Sequence, residues 1–391
     1  MNTFKQTTLF TESDQSSCQD FVPSLLEKGA DLAISISGGK DSDAMLRYLA
    51  EQQRASSWPG EMFALFCELG RIEWSGVDRH LKQLCFELAI PLVKLYPNRP
   101  MIEEWQQRYE TILEKQENKP FWSSSSARFC TKHEKTQPAD KLLRDYKFIV
   151  CAIGLRAEES SARAKKPRYQ VRNEITTKRF KTPASCKTAE QKERWAEQAY
   201  QDWENSGRKG RFAISWHPIH HWPLEQVWQQ NGTSSADVAR RVELYQSGKI
   251  EQAIAGFPCH WVYASGNTRL SCSLCVLGSA NDIHNGAKHN PQTWVELALM
   301  EIVGGWGFQQ SRWLASLSDE VLKMSVRQRK QLNQILLDRG LLEPWNPTLM
   351  LHLLHYCSPF WTEAALRELE QAISQYWETK QLQESELALD L

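Results

Sequence analysis

The chain contains no apolar run approaching the twenty or so residues that a membrane-spanning helix needs. An integral helical membrane protein is therefore excluded. It also lacks net charge: 47 Lys and Arg balance 47 Asp and Glu. No global field would pull it onto nucleic acid or an anionic surface. No internal repeat is visible, so a solenoid is excluded. The opening MNTFKQTTLFTESDQ has no basic-then-apolar leader pattern, and the expected location is cytoplasmic. The Gly-x4-Gly-Lys-Ser/Thr phosphate signature does not occur. Cysteine is not scarce, but the ten cysteines are scattered through a large chain and read as reduced rather than disulfide-paired. Most of the sixteen tryptophans should pack in cores or interfaces, with some free to stack on bases.

Strand-like and helix-like stretches alternate. DLAISI (31–36) precedes a helical run from about Asp41, with Ala44, Leu46, Leu49 and Ala50 on one face. MFALFC (62–67) precedes VDRHLKQLCFELA (77–89), and PLVKLY (91–96) precedes MIEEWQQRYETILEKQ (101–116). HEKTQPADKLLRDY reads as a helix interrupted near Pro138, followed by the strand KFIVCAIG (147–154). This alternation predicts an α/β fold with a doubly wound, mostly parallel sheet. Residues 155–211 are polar with little periodicity, and residues from Pro291 onward read as helices. The expected division is a flexible tail at 1–20, the α/β domain at 21–240, a cysteine module at 241–290 and a helical domain at 291–391.

SGGKDS, from Ser37 to Ser42, falls on the turn between the first strand and its helix. Open α/β sheets bind ligands at that edge. Gly38 and Gly39 let the backbone approach an anion closely, and the helix start offers free N–H groups and a positive dipole end. A plain tight turn capped by Asp41 or Ser42 would explain a lone Gly-Gly. The coincidence of Ser37, Gly38, Gly39, Lys40, Asp41 and Ser42 instead predicts a phosphate site.

GLRAEESSARAK (154–165) also follows a predicted strand and should reach the same edge. Arg156 and Arg163 could neutralise phosphate oxygens, and Glu158 or Glu159 could hold Mg²⁺ or a ribose. Further on, Cys272-x2-Cys275 can place two thiolates on one centre. Cys259 is a candidate third ligand and Cys130 a fourth. His260, His284 and His289 are alternatives for zinc. A dithiol that carries redox equivalents or sulfur and plain core thiols are the other readings. KKPRYQVRNEITTKRFK (165–181) has seven basic residues and one acid. It could cradle a nucleic-acid backbone with Tyr169 and Phe180 stacking, or form a solvated loop over the nucleotide. The histidines of HPIHHW (217–222) read as structural rather than metal-binding.

Together these segments resemble the phosphoadenosine phosphosulfate (PAPS) reductase family of the adenine-nucleotide alpha hydrolase superfamily. SGGKDS resembles its pyrophosphate-binding PP-loop. FCELGRIEWSGVDRHL (66–81) resembles its "DTG-x-E-W-P-x-T" segment, and RFCTKHEKTQPADKLLR (128–144) its "R-W-C-T-x-x-L-K-x-x-P" segment. GLRAEESSARAK resembles "G-x-R-x-x-E-S-x-x-R", and HPIHHWPLEQVW (217–228) resembles "x-P-I-x-D-W-x-x-x-D-V-W". YASGNTRLSCSLCVLGSAND resembles the iron–sulfur segment of the ATP-pyrophosphatase component of DNA phosphorothioation systems of the Dnd and Ssp types. The chain departs from the family at Glu68 and Leu69, which replace the Asp-Thr of DTG, at Ser75 and at His221. Sulfonucleotide reductases carry a degenerate PP-loop and a C-terminal Glu-Cys-Gly segment, whereas this loop is intact and Cys357, in LHYCSPF, matches no such segment.

The resemblance implies an ATP pyrophosphatase. Lys40, Asp41, Ser42 and Arg156 would be catalytic. Ser37 to Ser42, Glu68, Gly154, Arg156, Glu158, Glu159, Ser160 and Arg163 would bind ATP with Mg²⁺. Cys272, Cys275, Cys259 and Cys130 would hold a 4Fe–4S cluster, or zinc. The implied partners are DNA and a cysteine desulfurase. A sulfonucleotide reductase and a non-catalytic nucleotide-binding subunit are the alternatives.

Overall fold

The computed structural model describes residues 21–290, apart from 116 and 118, and isolated positions between 293 and 314. The expected tail, most of the expected helical domain and Cys357 lie outside the described residues. Six strands form one sheet: β1 (Asp31–Ser35), β2 (Met62–Cys67), β3 (Leu92–Leu95), β4 (Phe148–Ile153), β5 (Tyr169–Val171) and β6 (Phe212–Trp216). Their spatial order is β3-β2-β1-β4-β6-β5. All pairs are parallel except β5 with β6. The mostly parallel α/β architecture expected from the sequence is the one observed.

The central strands are buried on both faces, as parallel strands flanked by helices must be. Leu32 and Ile34 of β1 enter one core with Val22 and Leu25 of α1 (Phe21–Glu27) and Met45, Leu46 and Leu49 of α2 (Lys40–Ser56). Ala33, between them, points to the opposite core with Phe63, Leu65, Ile149 and Leu143. The period-two alternation of a strand causes that split. After β1 the chain builds β2 and β3 on one side, then returns to place β4 on the other. The crevice therefore opens at the carboxyl ends of β1 and β4. The loops that leave those two strands are SGGKDS and GLRAEE.

The sequence reading missed elements between residues 155 and 216. Residues 155–211 hold β5 and a helix, Ala189–Asn205, with a Thr188–Gln191 capping box. Its buried face is Ala196, Ala199, Tyr200 and Trp203; two alanines mark an apolar stripe only weakly. β6 is a five-residue run directly after the basic GRKGR, too short to stand out. The interruption expected near Pro138 takes the form of a π-helical turn at Lys132–Thr136, directly before Gln137–Leu143, which carries Pro138 in its first turn.

A second core joins Met101, Ile102 and Trp105 of α4 (Met101–Glu114) to Trp122, Leu274, Trp294 and Phe308. Cys130 and Cys272 pack on its edge. Among the described residues no helix is long and apolar enough to cross a membrane.

Candidate functional site

A cavity of about 350 Å³ lies at the carboxyl ends of the strands. Ser37, Gly39, Lys40, Asp41 and Ser42 border it from the first loop, and Gly154, Glu159 and Arg163 from the loop after β4. Gly38 takes φ +72°, a left-handed value that favours glycine. Its hydrogen-bearing face rests on Val77 and His80 of α3 (Val77–Leu88). Gly39 is the residue that caps α2. The amides of Gly38 and Gly39 make no hydrogen bond among the described residues, although both residues are buried. Unpaired N–H groups at a helix start can take an anionic acceptor.

The side chains of the loop are held in place. Ser42 Oγ donates to Gly39 O at 2.8 Å and accepts from Ser37 N at 3.2 Å. Lys40 Nζ lies 3.1 Å from Asp41 Oδ2 and donates to Thr268 O at 3.3 Å. Asn231 Nδ2 donates to Lys40 O at 2.8 Å. Asp43, 1% exposed, meets His80 Nε2 at 2.6 Å beneath the loop.

Some expected roles change. Asp41 does not cap the helix; its Oδ1 accepts from Arg156 Nε at 2.6 Å. Arg156 is 4% exposed and also bonds Glu158 and the Trp222 carbonyl, so it does not face the cavity as a free phosphate ligand. Glu158 turns away to accept from Leu224 N at 3.0 Å. Glu159 borders the cavity but pairs with Arg163. Ser160 caps the short turn Ser161–Ala164. Glu68 lies outside the lining, 3.6 Å from Lys94. Carboxylates that already carry cations are poor donors for a dedicated metal cage, so Mg²⁺ would have to enter on the phosphates of its nucleotide.

The sequence reading missed several lining groups: Cys67, Lys135, Arg172, Tyr263 and Arg269. Lys135 sat unremarked in the RFCTK segment, on the π-helical turn. Its enclosed setting disfavours charge, but Cys272, Glu73, Cys67 and Cys275 around it hold its pKa above the ordinary lysine value. Burial pushes the Cys67 thiol up to about 11 and the Glu73 carboxyl up to about 7, against the opposing charge of Lys135. Burial raises Cys272 further still.

The proposed four-cysteine set is not assembled. Cys130 and Cys275 lie around Cys272, but Cys259 is buried in a different cluster with Trp228 and Tyr263. Its charged neighbours are Asp43, Arg47, Lys40 and Arg241. His260 points at the Ser75 carbonyl, 3.2 Å away. Among the described residues no group of three His, Cys, Asp or Glu side chains stands in metal-binding geometry. As placed, these residues do not fit a closed cluster or zinc site.

The basic stretch is also corrected. Tyr169 and Phe180 are 2% and 4% exposed and belong to the core, so neither ring is available to stack on bases. Arg172 binds Asp140, and Arg168 binds Glu193. His217 Nδ1 donates to Pro167 O at 2.7 Å, and His220 Nε2 lies 3.2 Å from Arg163 O. These two histidines anchor the backbone at 163–167, the structural role expected of them.

The model of the phosphoadenosine phosphosulfate reductase domain matches residues 31–276, more than half of the chain, and the chain belongs to that family. No curated protein matches it. Among solved structures it is similar to a PAPS reductase from Candida auris in complex with phosphate. That pair shares 13% identity over 56% of this chain and 79% of the other, with a TM-score of 0.32. It is also similar to the U34-tRNA thiolase NcsA from Methanococcus maripaludis with its 4Fe–4S cluster. There the identity is 14% over 55% of this chain and 62% of the other, with a TM-score of 0.32.

Proposed function

We propose that this member of the phosphoadenosine phosphosulfate reductase domain family is a PP-loop ATP pyrophosphatase serving sulfur transfer. One observation carries the reading: the unpaired amides of Gly38 and Gly39 at the start of α2, with Gly39, Lys40 and Ser42 lining a cavity of about 350 Å³. Such donors favour the charge that grows on pyrophosphate as it leaves the alpha phosphate. An acceptor oxygen attacks the alpha phosphorus. The bond to the beta-phosphate oxygen breaks, and its electron pair departs with pyrophosphate. A sulfur nucleophile then displaces AMP from the adenylylated acceptor. Mg²⁺ bound with ATP would supply further positive charge to the phosphates.

The loop's own residues divide this work. Gly38 and Gly39 bind through the backbone, Lys40 adds a positive charge, and Ser42 can turn its hydroxyl to a phosphate oxygen. Arg156 acts at one remove by fixing Asp41. The acceptor we favour is a DNA backbone phosphate, with sulfur from a cysteine desulfurase, because the 263–282 segment resembles that of phosphorothioation enzymes. No step is routed through a cluster.

The test is chromatography of ATP labelled at the alpha phosphate, with and without DNA. AMP and pyrophosphate are expected. Lys40→Ala or Ser42→Ala should slow their release by about 10²–10³-fold. ADP as the main product would overturn the mechanism. Sulfite release from PAPS with a thiol reductant would select the reductase alternative.

A further inference from the structure

The phenol oxygen of Tyr263 accepts two backbone hydrogen bonds, from Lys40 N at 2.8 Å and from Leu270 N at 3.2 Å. A phenol oxygen has one proton to give and two lone pairs to accept with. Both acceptor positions are filled. No group among the described residues takes the proton. The residue is 1% exposed, and its ring meets Trp228 edge-on at 5.3 Å. The oxygen lies against the PP-loop: a Cβ placed on Gly39 would stand 3.4 Å from it. Tyr263 also borders the cavity. With ring and lone pairs accounted for, the open direction for the O–H is the cavity.

We propose that Tyr263 donates its hydroxyl hydrogen to an oxygen of the bound phosphate chain, as a catalytic contact reaching the PP-loop from the cysteine segment. The inference rests on the reading of this loop as a nucleotide site. It assigns Tyr263 a double task. Its oxygen holds the Lys40 amide and so fixes the start of α2, while its hydrogen faces the ligand. Burial raises the phenol's pKa well above the ordinary tyrosine value, which keeps the hydrogen in place. The contact is a hydrogen bond, not a proton transfer; the electron pair of the broken bond stays on pyrophosphate. Arg269, six residues on, borders the same cavity and has no hydrogen-bond or ion-pair partner among the described residues. The segment that leads to Cys272 thus closes the nucleotide site from a second side.

The experiment is calorimetric titration of the full chain with inorganic pyrophosphate, alongside turnover of labelled ATP. Tyr263→Phe keeps the ring and removes the hydroxyl. Pyrophosphate affinity should fall roughly ten- to a hundred-fold, as expected for one hydrogen bond to a charged group, and turnover by about 10²–10³-fold. A ring-fluorinated tyrosine at 263 keeps both tasks but makes the phenol more acidic. A more acidic phenol is a stronger donor and a weaker acceptor, so pyrophosphate affinity should rise, whereas a tyrosine that only accepts from the backbone would lower it or leave it unchanged. Parent-like binding by Tyr263→Phe, or a fluorinated variant that binds no more tightly than the parent, would overturn the proposal. A parent that binds pyrophosphate but never forms AMP would fail the pyrophosphatase reading and leave this one standing. A parent that binds no pyrophosphate would overturn both.

Discussion

Arg156 Nε stands 2.6 Å from Asp41 Oδ1 and joins the loop after β1 to the loop after β4. The two side chains are 5% and 16% exposed. The pair closes one wall of the crevice where the strand order reverses. It also explains why Asp41 does not cap α2 and is not a free carboxylate.

Removing Arg156 should therefore act on stability as well as on catalysis. Arg156→Ala leaves Asp41 paired with Lys40 alone and should cost about 1–3 kcal/mol, as for a lost hydrogen bond between charged groups. Asp41→Asn should cost less in that background than in the parent, because one of its two partners is already gone. Urea unfolding of the two single variants and the double variant forms the cycle. Strictly additive effects would show that the pair carries no coupling.

Gly154 is required for a close approach. A Cβ there would lie 3.1 Å from Asp41 O and 3.2 Å from Ser42 Cα. Backbone cannot yield as a side-chain tip can. Gly154→Ala should push the first turn of α2, lower stability by about 1–3 kcal/mol and weaken pyrophosphate binding. Thermal melting and calorimetry read both. A variant with parent melting temperature and affinity would contradict this packing.

Stability should fall on both sides of a pH optimum. Burial pushes His217 down to about 4 and His260 down to about 3, so both are neutral in the fold. Unfolded histidine binds a proton near pH ~6.5. The stability these two provide is whole above that value and lost as pH falls from there toward 4 and 3. His80 has the opposite sign. Burial alone would lower it, but Asp43 at 2.6 Å outweighs burial and raises it. Its contribution is whole below the unfolded pKa and lost as pH rises through the folded one. Urea midpoints across pH should show both slopes. His217→Gln should flatten the acid slope, and His80→Gln the other. Unchanged slopes would refute these assignments.

The thiols of Cys67 and Cys272 should be sluggish. With Cys67 pushed up to about 11 and Cys272 raised further, little thiolate exists at neutral pH. Iodoacetamide labelling followed by mass spectrometry should be slow at pH 7 and accelerate with rising pH. Lys135→Met removes the charge that opposes burial and should slow it further. Anaerobic protein that is brown and carries stoichiometric iron and labile sulfide would overturn the view of these thiols as free groups.

The sequence by itself determined β1 to β4, the parallel α/β class and the position of the SGGKDS turn at the sheet edge. Each is written in adjacent residues: an apolar run, a Gly-Gly turn, a helical stripe. What it could not decide was partnership across the chain. Tyr169 and Phe180 look like stacking groups in a basic tract, but the antiparallel β5 and the helix Ala189–Asn205 draw both into the core. Cys259 is thirteen residues from Cys272, yet burial against Trp228 and Tyr263 sets it apart. Lys135 meets Cys67 and Cys272 only because a π-helical turn aims it at the crevice. Tyr263 reaches Lys40 over 223 residues. Local pattern reports what a residue's neighbours in sequence want. The reversal of strand order at β1 and β4, and the segment folded over it, decide which distant groups share the site.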